Sequence, residues 1–321
     1  MKIELYHPLY IYEVGQRNNQ EDAIYPKGDR ASKDNRLFIL CDGMGGHERG
    51  EVASNLVSIS IPHFLERTGV LFEDHFDDDI LNQSLEYAYQ QLDREKDDSQ
   101  RQMGTTLTLL YIHNKGITAA HMGDSRIYHI RPGKGILYQS RDHSIAFDLF
   151  QSGEITYEEM LNYPHKNVVT RAMVPGEENR MRPDIIHITE ILPDDYFYLC
   201  SDGMMEQMNN DELVAILTSR ICDDEKRQQL IVKSANNQDN HSAWLIHVKN
   251  IIHDEGDKQQ TNEELTARCN AINIKPPTIF EKEVYNADNE DDVVIVKEKP
   301  RKKSLMQHIH GLIRFTNNKE K

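Results

Sequence analysis

The 321-residue chain reads as an α+β protein built on largely antiparallel sheet, with a polar C-terminal tail. Three observations carry that reading. Short apolar runs separated by turn residues fill residues 1–250, two blocks of helical spacing lie between groups of those runs, and both patterns fade after residue 250.

Taken in order, strands are expected at Leu9–Val14, Leu37–Cys41, Thr106–Ile112, Ile117–Met122, Ile127–Ile130, Ile185–Thr189, Tyr196–Cys200 and Ala243–Val248. The connections Asn114-Lys115-Gly116, Arg131-Pro132-Gly133 and Pro193-Asp194-Asp195 are short turns. Short turns suit hairpins and meanders, hence antiparallel sheet. Glu51–Glu66 predicts a helix with Pro62 as a kink or stop. Leu81, Leu85, Ala88, Tyr89 and Leu92 fall on one face of a second helix. Shorter helices are expected at Glu154–Leu161, Asp211–Thr218 and Glu225–Ala235, with Asn209-Asn210-Asp211 capping the middle one. Helices placed this way cover sheet faces.

Beyond this body, residues 254–292 are polar, contain Pro276-Pro277 and end in the acidic run Asp288–Asp292, before an isolated apolar stretch, Val293–Val296. The expected division is a folded domain over 1–250 and a flexible or regulatory tail over 251–321. Residues 297–321 carry eight basic and two acidic side chains. If Ser304–Phe315 were helical, Leu305, Met306, Ile309, Leu312 and Ile313 would share a face suited to an anionic membrane surface or a protein partner, although Gly311 weakens that helix.

The net charge is −16, nearly all of it in residues 1–250, which argues against nucleic acid as a partner. None of Cys41, Cys200, Cys222 and Cys269 forms a Cys-x-x-Cys pair, so a zinc site is not expected. No apolar leader follows Met1 and no run reaches the ~18 residues of a membrane span, so the expected location is the cytoplasm.

The chemistry is concentrated in two Asp-Gly pairs, Asp42-Gly43 and Asp202-Gly203, each read as ending a buried strand at a glycine turn. Glu21-Asp22 lies upstream and Asp239-Asn240 downstream. A lone Asp-Gly is most often a turn, so the combination is what matters. Carboxylates that converge from several strand ends repel unless protonated or neutralised. Hard divalent cations such as Mg²⁺ and Mn²⁺ neutralise them through oxygen ligands. With Asp42 bridging two ions, Asp202 and Asp239 complete one site, and Glu21, Asp22 and the Gly43 carbonyl serve the other, an arrangement suited to phosphoryl transfer to water. Arg17 could grip phosphate oxygens in a bidentate way.

Further pieces complete a pattern. Arg17-Asn18-Asn19-Gln20-Glu21-Asp22 is followed by Asp42-Gly43-Met44-Gly45-Gly46-His47, Gly50-Glu51 and Ala53-Ser54. Gly104-Thr105-Thr106, Gly123-Asp124-Ser125-Arg126, Asp142-His143-Ser144, Asn167–Ala172, Ser201-Asp202-Gly203 and Asp239-Asn240 come next. In this order they resemble the motifs of the metal-dependent Ser/Thr protein phosphatases of type 2C, in their bacterial form, from Gly15 to Val248.

The resemblance implies two stacked β-sheets flanked by helices, with a metal cleft at one end. It implies hydrolysis of phosphoserine and phosphothreonine in proteins, as substrates of cytoplasmic Ser/Thr kinases. By position, Asp42, Gly43, Asp202 and Asp239 would hold two Mn²⁺ or Mg²⁺ ions, with Glu21 and Asp22 close by. Arg17 would meet the phosphate, and Asp124 with Asp202 would hold a weaker third ion. Residues 144–166 match the flap that influences substrate choice.

Some positions depart from the family. Asn236-Asn237-Gln238 stands where a glycine-rich turn is common, tolerable because Asn enters the left-handed region readily. His241-Ser242 replaces Ile-Thr. Met44 occupies the position of the animal enzymes' catalytic histidine, so that role is not carried to His47. His143, Arg126 and Asp195 are read as structural. A phosphoprotein-binding module and a small-molecule phosphatase on the same fold are the alternatives.

Overall fold

The structure, a computed structural model, describes residues 1–45, 49–70, 77–96, 103–165, 168–177 and 179–252. It consists of two stacked antiparallel sheets with helices outside both. The first sheet runs β1 (Lys2–Leu5), β12 (His241–Ile252), β11 (Tyr196–Cys200), β8 (Arg126–Arg131) and β9 (Gly135–Gln139), with β2 (Leu9–Glu13) also on β12. The second runs β10 (Asp184–Ile188), β7 (Gly116–Met122), β6 (Leu107–His113), β4 (Leu37–Met44) and β3 (Asp22–Tyr25), with β5 (Gly104–Thr105) on β4.

Strand alternation builds the layers. Along β4, Phe38 and Leu40 face the core between the sheets, where they join Leu110, Leu199, Ile246 and Trp244. Ile39 and Cys41 face the other way, onto α1 (Arg49–Arg67) and α2 (Asp78–Arg94). On the opposite side Tyr128, Tyr198 and Leu245 pack against α5 (Asn210–Leu217) and α6 (Asp223–Ser234). The Trp244 indole N–H is fully buried and donates to the Ile39 carbonyl across the sandwich (3.2 Å), so the largest core side chain ties the two sheets together.

All eight predicted strands form, and β12 extends past Val248 to Ile252. The short strands β1, β3, β5 and β9 carry too little periodicity to be read from sequence. Two expectations change. Pro62 does not stop the helix: α1 continues to Arg67, with Ile61, Pro62 and Leu65 buried, so packing of that face outweighs one lost backbone bond. The first Asp-Gly is not at a turn, because β4 continues through Asp42, Gly43 and Met44, with Gly43 opposite Thr105 and Met44 opposite Gly104.

The expected helix over Glu154–Leu161 is shorter, α4 (Tyr157–Leu161), closed by a Thr156/Glu159 capping box. It follows α3 (Ile145–Gln151), and the two lie in the segment expected to be the flap, with a small cluster around Ile145, Leu149 and Val168. Asn209 caps α5 as expected, accepting from the Glu212 N–H (2.9 Å). His47 and the tail from 253 onward lie outside the described residues. Among the described residues no helix is long and apolar enough to cross a membrane.

Candidate active site

Four strand ends meet at one end of the sandwich. Antiparallel pairing sets the start of β3 beside the end of β4, with Asp22 directly opposite Asp42. In the other sheet it sets the end of β11 beside the start of β12. Ser201 donates to the Asp22 carboxylate across the gap (2.9 Å), and its Oγ also accepts from the Ser242 N–H (3.0 Å). The four acidic positions predicted to converge are thereby gathered from both sheets.

Asp42 is held by its backbone. Its N–H donates to Thr106 Oγ1, and its carbonyl accepts from the Thr105 hydroxyl and the Thr106 N–H, each at 2.9 Å. The Gly43 N–H donates to the Glu21 carbonyl (3.0 Å), which also accepts from Ser54 Oγ (2.6 Å). A Cβ at Gly43 would sit 2.1 Å from the Gly50 carbonyl oxygen, so glycine here is imposed by the approach of α1's first turn. The second pair is built differently. Asp202 opens a short 3₁₀ turn, Asp202–Met205, and a Cβ at Gly203 would lie 2.1 Å from the Asn240 carbonyl oxygen. Asn237 donates its side-chain amide to the Gly203 carbonyl. The Asn236-Asn237-Gln238 segment uses no left-handed backbone: Asp194 alone among the described non-glycine residues has a positive φ. Asn237 replaces a glycine by supplying a hydrogen bond.

Asp239 accepts from Arg17 Nη2 at 2.7 Å. Burial lowers the Arg17 pKa, but Asp239, then Glu21 and Asp42, outweigh it and raise the guanidinium above its ordinary value. Asp22 is wholly buried, and only Oδ2 has a hydrogen-bond partner; Oδ1 has none. Burial, only partly offset by the Ser242 and Ser201 hydroxyls and reinforced by the Asp202 and Asp239 carboxylates, pushes its pKa up to about 7. A buried carboxylate oxygen without a donor, amid other carboxylates, fits a cation or its bound water. The donor set is oxygen throughout, which suits Mg²⁺ or Mn²⁺.

Asp124, also buried, lies in the turn Gly123–Ser125 that crosses from β7 to β8 and hence from one sheet to the other. Ser125 Oγ is 2.7 Å from Thr106 Oγ1, the atom that accepts from the Asp42 N–H. Sequence reasoning gave no role to Thr106, Ser201 or Asn240. Asn240 accepts from the Glu21 N–H (2.7 Å) and donates to the Val14 and Asn19 carbonyls (2.8 and 2.9 Å), fastening the Arg17–Glu21 loop to β12. Its place beside Asp239 was the available signal.

His143 lies apart from the carboxylates. It stacks on His121 at 4.7 Å, and these two with Asp184 bring potential ligand atoms within 4.8 Å. The hydrogen bonds already account for both ring nitrogens of His143. His143 Nδ1 accepts from the Gly123 N–H (3.1 Å), so its one proton is on Nε2, which faces Asp184 Oδ2 (3.2 Å). His121 Nε2 faces the Arg141 carbonyl (2.8 Å), and Arg171 pairs with Asp184 (2.8 Å). A ring with an engaged Nδ1 lone pair and a protonated Nε2 is a hydrogen-bond relay rather than a metal ligand. Arg126 and Asp195 are paired with Asp142 and with Arg131 and His129, as structural residues would be.

Residues 14–245 match the protein phosphatase 2C family profile. The chain is 34% identical over 249 residues to the protein phosphatase PhpP of Streptococcus pneumoniae, covering 74% of this chain and 95% of that one. It is 31% identical over 239 residues to a protein described as a putative protein phosphatase 2C-type of Streptococcus pyogenes, covering 73% and 94%. Among solved structures, the serine/threonine phosphatase PstP/Ppp of Mycobacterium tuberculosis superposes with a TM-score of 0.64 at 26% identity, over 77% of this chain and all of that one. The PstP catalytic domain in complex with two manganese ions gives 0.60 at 26% identity, over 78% of this chain and all of that one. Profile, relatives and fold all span the body that carries the carboxylate cleft, and the chain belongs to the protein phosphatase 2C family.

Proposed function

We propose that this protein phosphatase hydrolyses phosphoserine and phosphothreonine in proteins at the cleft between Asp22, Asp42, Asp202 and Asp239. The observation that supports this most is Asp22, buried and with one oxygen unpartnered amid neighbouring carboxylates. Asp42, the Gly43 carbonyl, Asp202 and Asp239 would hold two Mn²⁺ or Mg²⁺ ions, Glu21 and Asp22 would orient bound water, and Asp124 with Asp202 would take a weaker third ion. Bound there, the ions supply an acidified water and a Lewis-acid clamp on phosphate oxygens.

The chain's own groups do the rest. Arg17, anchored on Asp239, directs its fork at the phosphate dianion. Asn240 and Ser54 fix the loop that carries Arg17 and Glu21, so little ordering is left for the moment of binding. Thr105 and Thr106 fix the Asp42 backbone. Water adds to phosphorus as the ester oxygen leaves, giving the free hydroxyl side chain and inorganic phosphate.

Phosphate release from a phosphothreonine peptide by the full chain, with Mn²⁺, with Mg²⁺ or with EDTA, tests the reading beside Asp202→Asn. Release that needs both metal and Asp202 supports it. Binding of the peptide without turnover indicates a phosphoprotein-binding module, and preference for phosphorylated metabolites indicates a small-molecule enzyme. A cytoplasmic location, opposition to cytoplasmic Ser/Thr kinases, and recruitment of a membrane or partner by the basic tail belong to the same proposal. Deletion of 297–321 with no effect on membrane association, partner binding or activity removes the last.

A further inference from the structure

A buried side chain, His143, stands where the flap meets the catalytic body. The His143 N–H donates to the Gly123 carbonyl (2.9 Å), and the Gly123 N–H returns to His143 Nδ1 (3.1 Å). The same residue starts the flap and receives its end: the His143 carbonyl accepts from the Thr170 N–H (2.8 Å), and Ser144 bridges Val169. Nε2 points to Asp184 at the start of β10, with Arg171 Nη1 3.4 Å away, and Asp184 is paired with Arg171 beyond the flap. The ring is 1% exposed and stacks on His121. On its other side, Gly123 has φ +107°, and a Cβ there would strike the Thr106 side chain at 2.5 Å. From Thr106 the path reaches Ser125 and the Asp42 N–H. The turn held by His143 thus contains Asp124 and abuts the residue that orients Asp42.

We propose that His143 is a positioning residue: its Nδ1 fixes the Gly123–Ser125 turn at the catalytic cleft while its Nε2, through Asp184 and Arg171, fixes the base of the flap. The two ring nitrogens serve two different tasks, one for turnover and one for docking of the protein substrate. The assignment of Asp124 and the cleft rests on the function proposed above. The coupling between turn and flap does not.

The two tasks can be separated chemically. Asn at 143 places an acceptor near the Nδ1 position, and Gln places a polar group near Nε2. Kinetics are compared for wild type, His143→Asn, His143→Gln and His143→Ala on p-nitrophenyl phosphate and on a phosphothreonine peptide. The expected result is a kcat loss of roughly tenfold on both substrates for His143→Ala and His143→Gln. His143→Asn restores kcat to within about threefold, with the peptide KM still raised about fivefold. Equal losses in all three variants on both substrates, or full recovery of both parameters by His143→Asn, overturn the proposal.

Amide hydrogen exchange supplies an arm independent of activity. In Asp184→Asn, exchange quickens in 144–165 and not in 123–125; in His143→Ala it quickens in both. Quickening in 144–165 alone for His143→Ala overturns the coupling, even in a protein that releases no phosphate. A wild type without metal-dependent release, but with this exchange pattern, defeats the phosphatase reading and leaves the hinge standing.

Discussion

Asp22 and Asp195 are both wholly buried aspartates, and they sit at opposite ends of β11. Asp195 receives Arg131 on both oxygens (2.7 and 2.8 Å), His129 (2.8 Å) and the Leu192 N–H (2.8 Å). Burial raises its pKa, but these donors outweigh that and hold it at about 2. Asp22 has only serine hydroxyls, Ser201 and Ser242, to set against burial and the neighbouring Asp202 and Asp239 carboxylates, and its pKa is pushed up to about 7. Neither side chain touches solvent, and the outcome is opposite. Asp195 holds an arginine on both of its oxygens, whereas the one side chain hydrogen-bonded to the Asp22 carboxylate in this geometry is a serine and the nearby Arg17 pairs with Asp239 instead.

The sharpest test of this contrast is at the carboxylate cleft. Asp202→Asn should lower phosphate release about a thousandfold, near 4 kcal/mol of transition-state stabilisation, while circular dichroism and melting stay close to wild type. Retained turnover breaks the contrast, because the carboxylates would then not be there for chemistry. Asp195→Ala should do the reverse. Removing the charge that Arg131 and His129 face should cost about 3 kcal/mol in denaturant unfolding, with Mn²⁺ affinity by calorimetry unchanged.

Smaller effects refine the comparison. Arg17→Lys keeps the charge and loses the fork, and a phosphopeptide KM raised about tenfold is expected, equivalent to about 1.4 kcal/mol. Asp22→Asn removes a buried charge. The metal-free variant should melt no lower than wild type, by up to about 1 kcal/mol in its favour, and should gain less from added Mn²⁺. Last is the acid limb. The folded pKa of Asp195 is depressed, so its contribution is present above the ordinary value of 3.8 and is lost as pH falls toward about 2. Acid unfolding of Asp195→Asn should show a shallower slope over that window.

Much of the site was legible because its chemistry is written in order along the chain. Asp42, Asp202 and Asp239 each lie beside a strand with an unambiguous apolar run, so their convergence could be anticipated from strand ends. The clamp made by Asn240 was not legible. Its three hydrogen bonds reach residues more than 200 positions away in sequence, and its place beside Asp239 marks the residue without revealing those partners. The same holds for Ser201, whose partner Asp22 is 179 residues away. The two Asp-Gly pairs make the point most directly. They look alike in sequence, yet one lies inside a strand against Gly50 and the other heads a turn against Asn240.

The sequence by itself determined the antiparallel α+β class, the faces of α2 and the cap of α5, because each depends on residues within a few positions of one another. Only the tertiary structure decided that α1 runs through Pro62, that β4 continues past Asp42, and that His143 joins the flap to the Gly123 turn. Those outcomes depend on what packs or bonds across the fold, where burial of a whole face, or one well-placed partner, outweighs a local preference worth a few kcal/mol at most.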